Sequence, residues 1–174
     1  MLFLTKPLGI GVLATALKRQ KINDRDYRNL VEIACQLNAI GEVLGNHEEV
    51  HALTDVTGFG LLGHALEMAE GADLTLNLEF NKLPLIDGVA DYIQQFVFPD
   101  NTYRNWNAFN SKVTGVNGME LVPLCDPQTS GGLLISVGAE DKAWFEETMR
   151  LHKQNFWEIG KFLPKDNFWV QVVN

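Results

Sequence analysis

The feature of this sequence that most restricts its fold is a stretch in which a short apolar run, a carboxylate, a glycine-rich turn and an amphipathic run follow one another. It covers residues 54–64 and reads Thr-Asp-Val-Thr-Gly-Phe-Gly-Leu-Leu-Gly-His. Residues 50–53 before it have a strand pattern, and apolar residues after it recur at helical spacing as far as Gly71. The pattern predicts a strand, a turn and a helix, with Asp55 at the carboxyl end of the strand.

This turn has the composition of a ligand site. The first N–H groups of a helix lack intrahelical partners and lie at the positive end of its dipole, and Gly58 and Gly60 would let an anion approach closely. Asp55 has two interpretations: it accepts N–H bonds as a cap, or it binds a hard cation such as Mg²⁺, which needs only one or two protein carboxylates beside phosphate oxygens and water. We predict that Thr57 is the cap, which would free Asp55 to point towards a ligand.

The same turn also resembles a dinucleotide-binding motif. Residues 58–63 spell G-x-G-x-x-G at the start of the predicted helix. Two features oppose this interpretation: Asp55 would repel a pyrophosphate unless a cation lay between them, and the predicted sheet is not the alternating parallel kind. A dinucleotide-binding domain remains an alternative.

Charge and hydropathy exclude several classes of function. The chain has 14 basic and 22 acidic residues and a net charge of −8, so nucleic acids and anionic membranes are not expected partners. No stretch approaches the roughly 20 apolar residues of a membrane helix, and the start lacks a signal peptide, so we expect a cytoplasmic protein. Cys35 and Cys125 form no C-x-x-C pair, and we expect two buried free thiols.

The rest of the chain predicts an α+β fold. We predict helices over 7–20, from a cap at Asn23 to Gly45-Asn46, over 87–95 and over 139–153. Further strands are predicted over 74–80, 120–125, 133–137, 156–162 and 168–173, with a long polar loop over 99–112. Residues 126–132 form either a structural turn or, through Gln128, Thr129 and Ser130, an anion nest. The order of elements favours one domain, residues 1–174, with a largely antiparallel sheet.

Four blocks of the sequence form a pattern when they are taken together. They are Leu4-Thr-Lys-Pro-Leu-Gly9, residues 54–64, Thr102-Tyr-Arg-Asn105 and Cys125-Asp-Pro-Gln-Thr-Ser-Gly-Gly-Leu-Leu134. In this order and spacing they resemble the carboxyl-terminal domain of the selenophosphate synthetase (selenide, water dikinase) family, within the aminoimidazole ribonucleotide synthetase superfamily. The similarity extends over essentially the whole chain, and the order and spacing of the two long blocks make it specific.

The resemblance implies a layered α/β/α domain with a mostly antiparallel sheet, and a part in an ATP-dependent reaction. In that reaction ATP, selenide and water give selenophosphate, AMP and phosphate, with Mg²⁺ bridging phosphates and aspartates. Only one metal ligand of the family falls in this chain, Asp55. No catalytic residue does, since the amino-terminal catalytic domain is absent. Candidate nucleotide contacts are Thr57, Gly58, Gly60, Arg104 and Asn105.

We therefore expect a fragment that is inactive alone, whose partner is its own amino-terminal domain and whose full enzyme is a homodimer binding ATP and selenide. The alternative from a different class is a stand-alone anion-binding or dimerisation module.

Overall fold

The computed structural model describes all 174 residues. Its centre is a seven-stranded sheet with the order β2-β5-β1-β6-β3-β7-β4. The strands are β1 (Leu2–Leu4), β2 (Val50–Asp55), β3 (Leu74–Glu79), β4 (Val113–Thr114), β5 (Leu133–Val137), β6 (Trp157–Pro164) and β7 (Val170–Val173). Four neighbouring pairs are antiparallel, and only β3–β7 and β4–β7 are parallel. The predicted α+β class with a mostly antiparallel sheet is confirmed.

Eight α-helices surround this sheet. They are α1 (Ile10–Lys18), α2 (Asp24–Cys35), α3 (Ile40–Leu44), α4 (Gly60–Ala72), α5 (Val89–Gln94), α6 (Asn101–Phe109), α7 (Leu121–Cys125) and α8 (Lys142–Leu151). Three short 3-10 helices, Phe80–Lys82, Asn110–Lys112 and Gly118–Glu120, connect them. None of the helices combines the length and the apolar character needed to cross a membrane.

The core has a cluster on each face of the sheet and a third between helices. Alternation along β1 shows the two faces, since Leu2 and Leu4 pack in the cluster that contains α4, whereas Phe3 packs with α3 and α8. Helices α1, α2 and α5 enclose the third cluster. These layers give the α/β/α arrangement that the family resemblance implies.

The single helix predicted from Asn23 to Gly45-Asn46 is wrong, because the segment forms two helices, α2 and α3, separated by residues 36–39. Its start is confirmed, because the side chain of Asn23 accepts the backbone N–H of Asp26 at 2.9 Å. The helix nevertheless stops at Cys35, and Gln36 is extended. Long-range contacts explain the break: the Gln36 carbonyl accepts the ammonium of Lys6, a bond that a continuing helix would compete for.

Two segments predicted as a loop and a strand are helical. Residues 99–112 contain α6, whose buried face includes the polar residues Thr102 and Asn105, so hydropathy alone did not mark a helix there. Residues 120–125, predicted as a strand, form α7, which is almost entirely buried. A short buried apolar run has no periodicity that separates helix from strand.

The dinucleotide-binding alternative is wrong. That motif needs two adjacent parallel strands joined by the helix that the glycines begin. Here β2 and β3, which flank α4, are separated in the sheet by β5, β1 and β6.

Candidate functional site

Four sequence blocks meet at one end of the sheet. Strands β1 and β2 both pair with β5 in the antiparallel direction, so β1 and β2 end at the edge of the sheet where β5 begins. Thr5 joins the first block to the fourth: its Oγ1 accepts the N–H of Leu133 at 2.8 Å. Asn105 joins the other two, since its Nδ2 donates to the carbonyls of Gly58 at 2.9 Å and Cys125 at 3.0 Å. We call this surface, residues 4–9, 54–64, 102–105 and 125–134, the motif end.

Asp55 lies exposed at the motif end. It is the last residue of β2, next to Leu133 of β5. Its carboxylate forms no hydrogen bond or ion pair, and only its backbone carbonyl accepts a bond, from Thr54 Oγ1 at 3.4 Å. Asp55 therefore does not cap α4. Nowhere in the chain do three His, Cys, Asp or Glu side chains come together to hold a metal ion, so Asp55 belongs to no such set.

Thr57 does not cap α4 either, so that prediction is wrong. The helix begins after Phe59, which forms no side-chain cap. Thr57 instead bonds the buried His64: its backbone N–H donates to Nε2 at 3.2 Å, and its hydroxyl lies 3.0 Å from the same nitrogen. Because Nε2 accepts, the ring proton is on Nδ1, which donates to Glu67 Oε2 at 3.1 Å. His64 is thus a packed residue that holds the turn.

The other nucleotide-contact candidates have different surroundings. Gly60 is buried with φ +71°, and a Cβ there would lie 2.8 Å from the carbonyl carbon of Cys125, so close packing requires this glycine. Gly58 is open, with nothing within 4 Å of the position of a Cβ. Arg104 is exposed on α6 and forms no ion pair, whereas the neighbouring Asn105 is buried and its Nδ2 is committed to two carbonyls.

The loop 126–132 caps the amino terminus of α1. Gln128 Oε1 accepts the N–H groups of Gly9 and Ile10, both at 3.3 Å, and Asp126 Oδ2 accepts the N–H of Gly11 at 3.0 Å. A Cβ on Gly11 would lie 2.4 Å from Asp126 Oδ1, so the two segments fit only with glycine at this position. The predicted structural turn is therefore correct for Asp126 and Gln128.

Burial changes the acid–base chemistry of this loop. Asp126 is completely buried, and burial raises its pKa from 3.8 to about 7, although bonds from Gln128, Val12 and Gly11 act in the opposite direction. Its Oδ1 has no hydrogen-bond partner. Burial also raises the pKa of Cys125 to about 12, so this thiol stays protonated and is not a nucleophile at neutral pH. Cys35 is exposed, contrary to the expectation of two buried thiols.

Lys6 lies beneath the same loop. Its side chain is buried, with the residue only 1% exposed, and its Nζ donates to the carbonyls of Ser130 at 2.7 Å and Gln36 at 2.8 Å. No carboxylate lies within ion-pair distance of it, and burial lowers the pKa of its ammonium. Ser130, in turn, is in the left-handed conformation with φ +52°, which is uncommon for a residue other than glycine.

Sequence reasoning missed Lys6 as a structural residue and missed the capping of α1 by a distant loop. A signal for Lys6 was present, since the lysine stands among apolar neighbours at 2–4 and 7–8. Nothing local indicates the pairing of Asp126 with Gly11, which are 115 residues apart.

Comparison of the sequence with known protein families supports the resemblance noted from the four blocks. Residues 1–173 match the family described as AIR synthase related protein, C-terminal domain. The chain belongs to this family. The resemblance noted from the four blocks is thereby confirmed at the level of the superfamily, and the domain matched is the carboxyl-terminal one.

Curated relatives of this chain include several proteins named selenide, water dikinase. A selenide, water dikinase of Shewanella sp. (strain MR-4) is 43% identical over 152 residues, which are 87% of this chain and 43% of that protein. Another, from Shewanella baltica (strain OS185), is 47% identical over 142 residues, or 82% of this chain and 40% of that protein. The chain thus spans less than half the length of the curated relatives it matches.

Solved structures confirm the fold. The E. coli hydrogenase maturation protein HypE superposes with a TM-score of 0.70 at 17% identity, covering 100% of this chain and 46% of HypE. Thiamine-monophosphate kinase from Stenotrophomonas maltophilia K279a gives 0.67 at 14% identity, covering 98% of this chain and 49% of that enzyme. At these identities the likeness concerns the fold alone.

Proposed function

We propose that this chain is the second domain of a selenide, water dikinase, and that it completes an active site whose catalytic groups lie in an amino-terminal domain. The reaction converts ATP, selenide and water into selenophosphate, AMP and phosphate. Asp55 would be the residue that this domain contributes to a Mg²⁺ ion, and the ion would neutralise charge on ATP phosphates held by the other domain.

The observation that supports this proposal most directly is the environment of the Asp55 carboxylate. Its carboxylate is exposed and unbonded at the point where four sequence blocks meet. A structural aspartate at the start of a helix would accept local N–H groups, and this one accepts none. The names of relatives that are 43–47% identical support the choice of reaction.

The chemistry of phosphoryl transfer suits a site divided between domains. Such transfer depends mainly on positioning and on neutralising charge, and a bound Mg²⁺ supplies that neutralisation at the phosphate oxygens. Mg²⁺ binds through one or two carboxylates together with phosphates and water, so one aspartate from this domain is a sufficient contribution. Asp55 would hold the ion, and Gly58 leaves the turn accessible to phosphate oxygens. Arg104 is exposed without an ion pair on α6, the helix whose Asn105 bonds the Gly58 carbonyl, and it would offer a positive charge.

A chimera tests the proposal. The amino-terminal part of the Shewanella baltica dikinase is joined to this chain, and selenophosphate and AMP are measured by phosphorus NMR. We expect activity that depends on both selenide and ATP, and a loss of at least about 100-fold in kcat with Asp55→Asn, because the metal loses its carboxylate.

The matched control is Glu48→Gln, an exposed acid just before the opposite end of β2. It should leave the activity within about twofold. Equal effects of the two substitutions, or an inactive chimera that is folded and binds ATP, would refute the proposal. The chain alone should form no selenophosphate, and formation by the chain alone would also contradict it.

A further inference from the structure

We propose that the tip of the 126–132 loop is a phosphate-binding subsite, in which the backbone N–H groups of residues 129–132 hold a phosphoryl group and the buried Lys6 supplies the compensating positive charge. The inference rests on the proposed function for its setting, an active site that handles phosphates. Its evidence is separate, because none of the three observations below depends on a metal at Asp55.

The first observation concerns backbone donors without acceptors. The N–H groups of Thr129, Ser130, Gly131 and Gly132 donate to no backbone or side-chain acceptor in the chain. Gly131 and Gly132 are nevertheless buried. Buried N–H groups without partners are rare in proteins, so those of Gly131 and Gly132 indicate an acceptor from outside the chain, and the N–H groups of the exposed Thr129 and Ser130 are open to the same acceptor.

The second observation concerns the shape of the turn. Ser130 has φ +52°, and Thr129 and Ser130 are exposed. Turns that combine right-handed and left-handed residues direct successive N–H groups into a concavity that binds anions such as phosphate. The hydroxyls of these two residues are not bonded within the chain and add donors to the same tip.

The third observation is the uncompensated charge beneath the tip. Lys6 Nζ donates to the Ser130 carbonyl at 2.7 Å, and no carboxylate lies within ion-pair distance. Buried ammonium groups are otherwise found paired, because burying an isolated charge is costly. In a chain of net charge −8 the absence of a partner is notable, and an anion on the exposed side of the turn would provide one.

Two carboxylates nearby limit what can bind. Asp55 adjoins the loop, since the N–H of the next residue, Val56, donates to the Gly132 carbonyl at 2.8 Å, and Asp126 lies at the loop's start. The Asp126 carboxylate is buried against α1. Asp55 is exposed and would repel a free phosphate, so binding should be weak alone and stronger when a divalent cation lies between the two.

The experiment follows the backbone amides of the 174-residue chain by ¹H–¹⁵N NMR during titration with inorganic phosphate at constant ionic strength. We expect the amides of 129–132 to shift together and saturate with a Kd on the order of 1 mM, while chloride produces no such response. Shifts that scatter over the surface, or a failure of these amides to saturate with both inorganic phosphate and ATP, would overturn the proposal.

Matched lysine variants test the role of the buried charge. Lys6→Met should weaken phosphate binding at least about fivefold, and Lys161→Met, at an exposed lysine of β6, should leave it unchanged. Equal affinity in a folded Lys6→Met chain would contradict the assignment of Lys6. If that variant does not fold, the titration of the natural chain still decides whether the subsite exists.

Further titrations with ATP and AMP identify the source of the phosphoryl group. Saturation of the same amides by inorganic phosphate points to the free ion, and saturation by ATP alone points to a nucleotide phosphate. Both outcomes support the subsite. Because these titrations contain no Mg²⁺ and no selenide, their failure would leave the chimera experiment on Asp55 intact, and the reverse is also true.

Discussion

Two regions of the molecule differ in how they are held together. The motif end contains seven of the nine buried polar residues of the chain: Thr5, Lys6, His64, Thr102, Asn105, Asp126 and Gln128. The region between α8 and the sheet is instead packed by three aromatic rings, those of Phe3, Phe145 and Phe156, and we call it the aromatic side. The ring centroids are 4.3 Å apart for Phe3 and Phe145 and 5.6 Å apart for Phe145 and Phe156.

This difference implies that the two regions have different roles, one in stability and the other in positioning residues. Apolar packing gains free energy from burial but tolerates small shifts, whereas a buried hydrogen bond fixes two atoms relative to each other. The aromatic side therefore contributes most to stability, and the motif end uses polar contacts to place Asp55 and the 126–132 loop. The predictions below test that division.

The largest effect should come from the aromatic side. Phe145→Ala removes a completely buried ring, and we expect the free energy of unfolding to fall by about 3–5 kcal/mol in urea denaturation. Leu151→Ala, on the same helix but 73% exposed, should cost less than about 1 kcal/mol. Similar losses in both variants would show that this cluster is not the main source of stability.

The next effect is a pH dependence that originates at Asp126. The folded chain keeps this proton up to about pH 7, whereas the unfolded chain loses it near 3.8. Between these values the folded state binds more protons, so this residue makes stability fall as pH rises, by an amount on the order of 3 kcal/mol.

Urea unfolding at pH 4.5 and pH 7.5 measures this effect. The natural chain should lose more stability between the two values than Asp126→Asn, which has no charge to bury. Identical pH profiles for the two chains would mean that Asp126 is not responsible.

A smaller loss is expected at Asn105. Asn105→Ala leaves the Cys125 carbonyl without a donor and the Gly58 carbonyl with only the longer bond from Asn101 Nδ2 at 3.4 Å, and we expect a loss of about 1–3 kcal/mol. Asn107→Ala, exposed on the same helix, is the control and should change stability by less than about 0.5 kcal/mol. Amide shifts of the 57–60 turn by NMR should move in the first variant only. If the amide shifts of residues 57–60 do not change in Asn105→Ala, Asn105 does not position this turn.

The smallest effect on stability is expected at the proposed metal ligand. Because the Asp55 carboxylate has no partner in the chain, Asp55→Asn should change the free energy of unfolding by less than about 0.5 kcal/mol. Calorimetric or urea unfolding checks this. A large loss would show that Asp55 has a structural role in this chain. The same substitution should lower the kcat of the chimera at least about 100-fold, so its effect on activity should far exceed its effect on stability.

Much of the fold could be predicted from local signals. The Asn23 cap, the strand and turn around Asp55, and the alternating strand β3 (Leu74–Glu79) are all present. The errors lie where local signals are ambiguous or overruled. Residues 99–112 look like a loop because the buried face of α6 carries polar side chains, and 120–125 could be either helix or strand because every side is covered.

In the candidate site, too, some features follow from local sequence and others depend on the tertiary structure. The sequence by itself determined that Asp55 stands at the end of a strand before a helix, since alternation and helical spacing are local properties that any fold of this chain must satisfy. Only the tertiary structure decided that Thr57 bonds His64, that Asp126 caps α1, and that Lys6 lies beneath Ser130. The second and third of these contacts join residues that are 115 and 124 positions apart, and their partners are set by the order of strands in the sheet, which local preferences do not specify. The first is short in sequence, but it depends on how α4 packs against the turn.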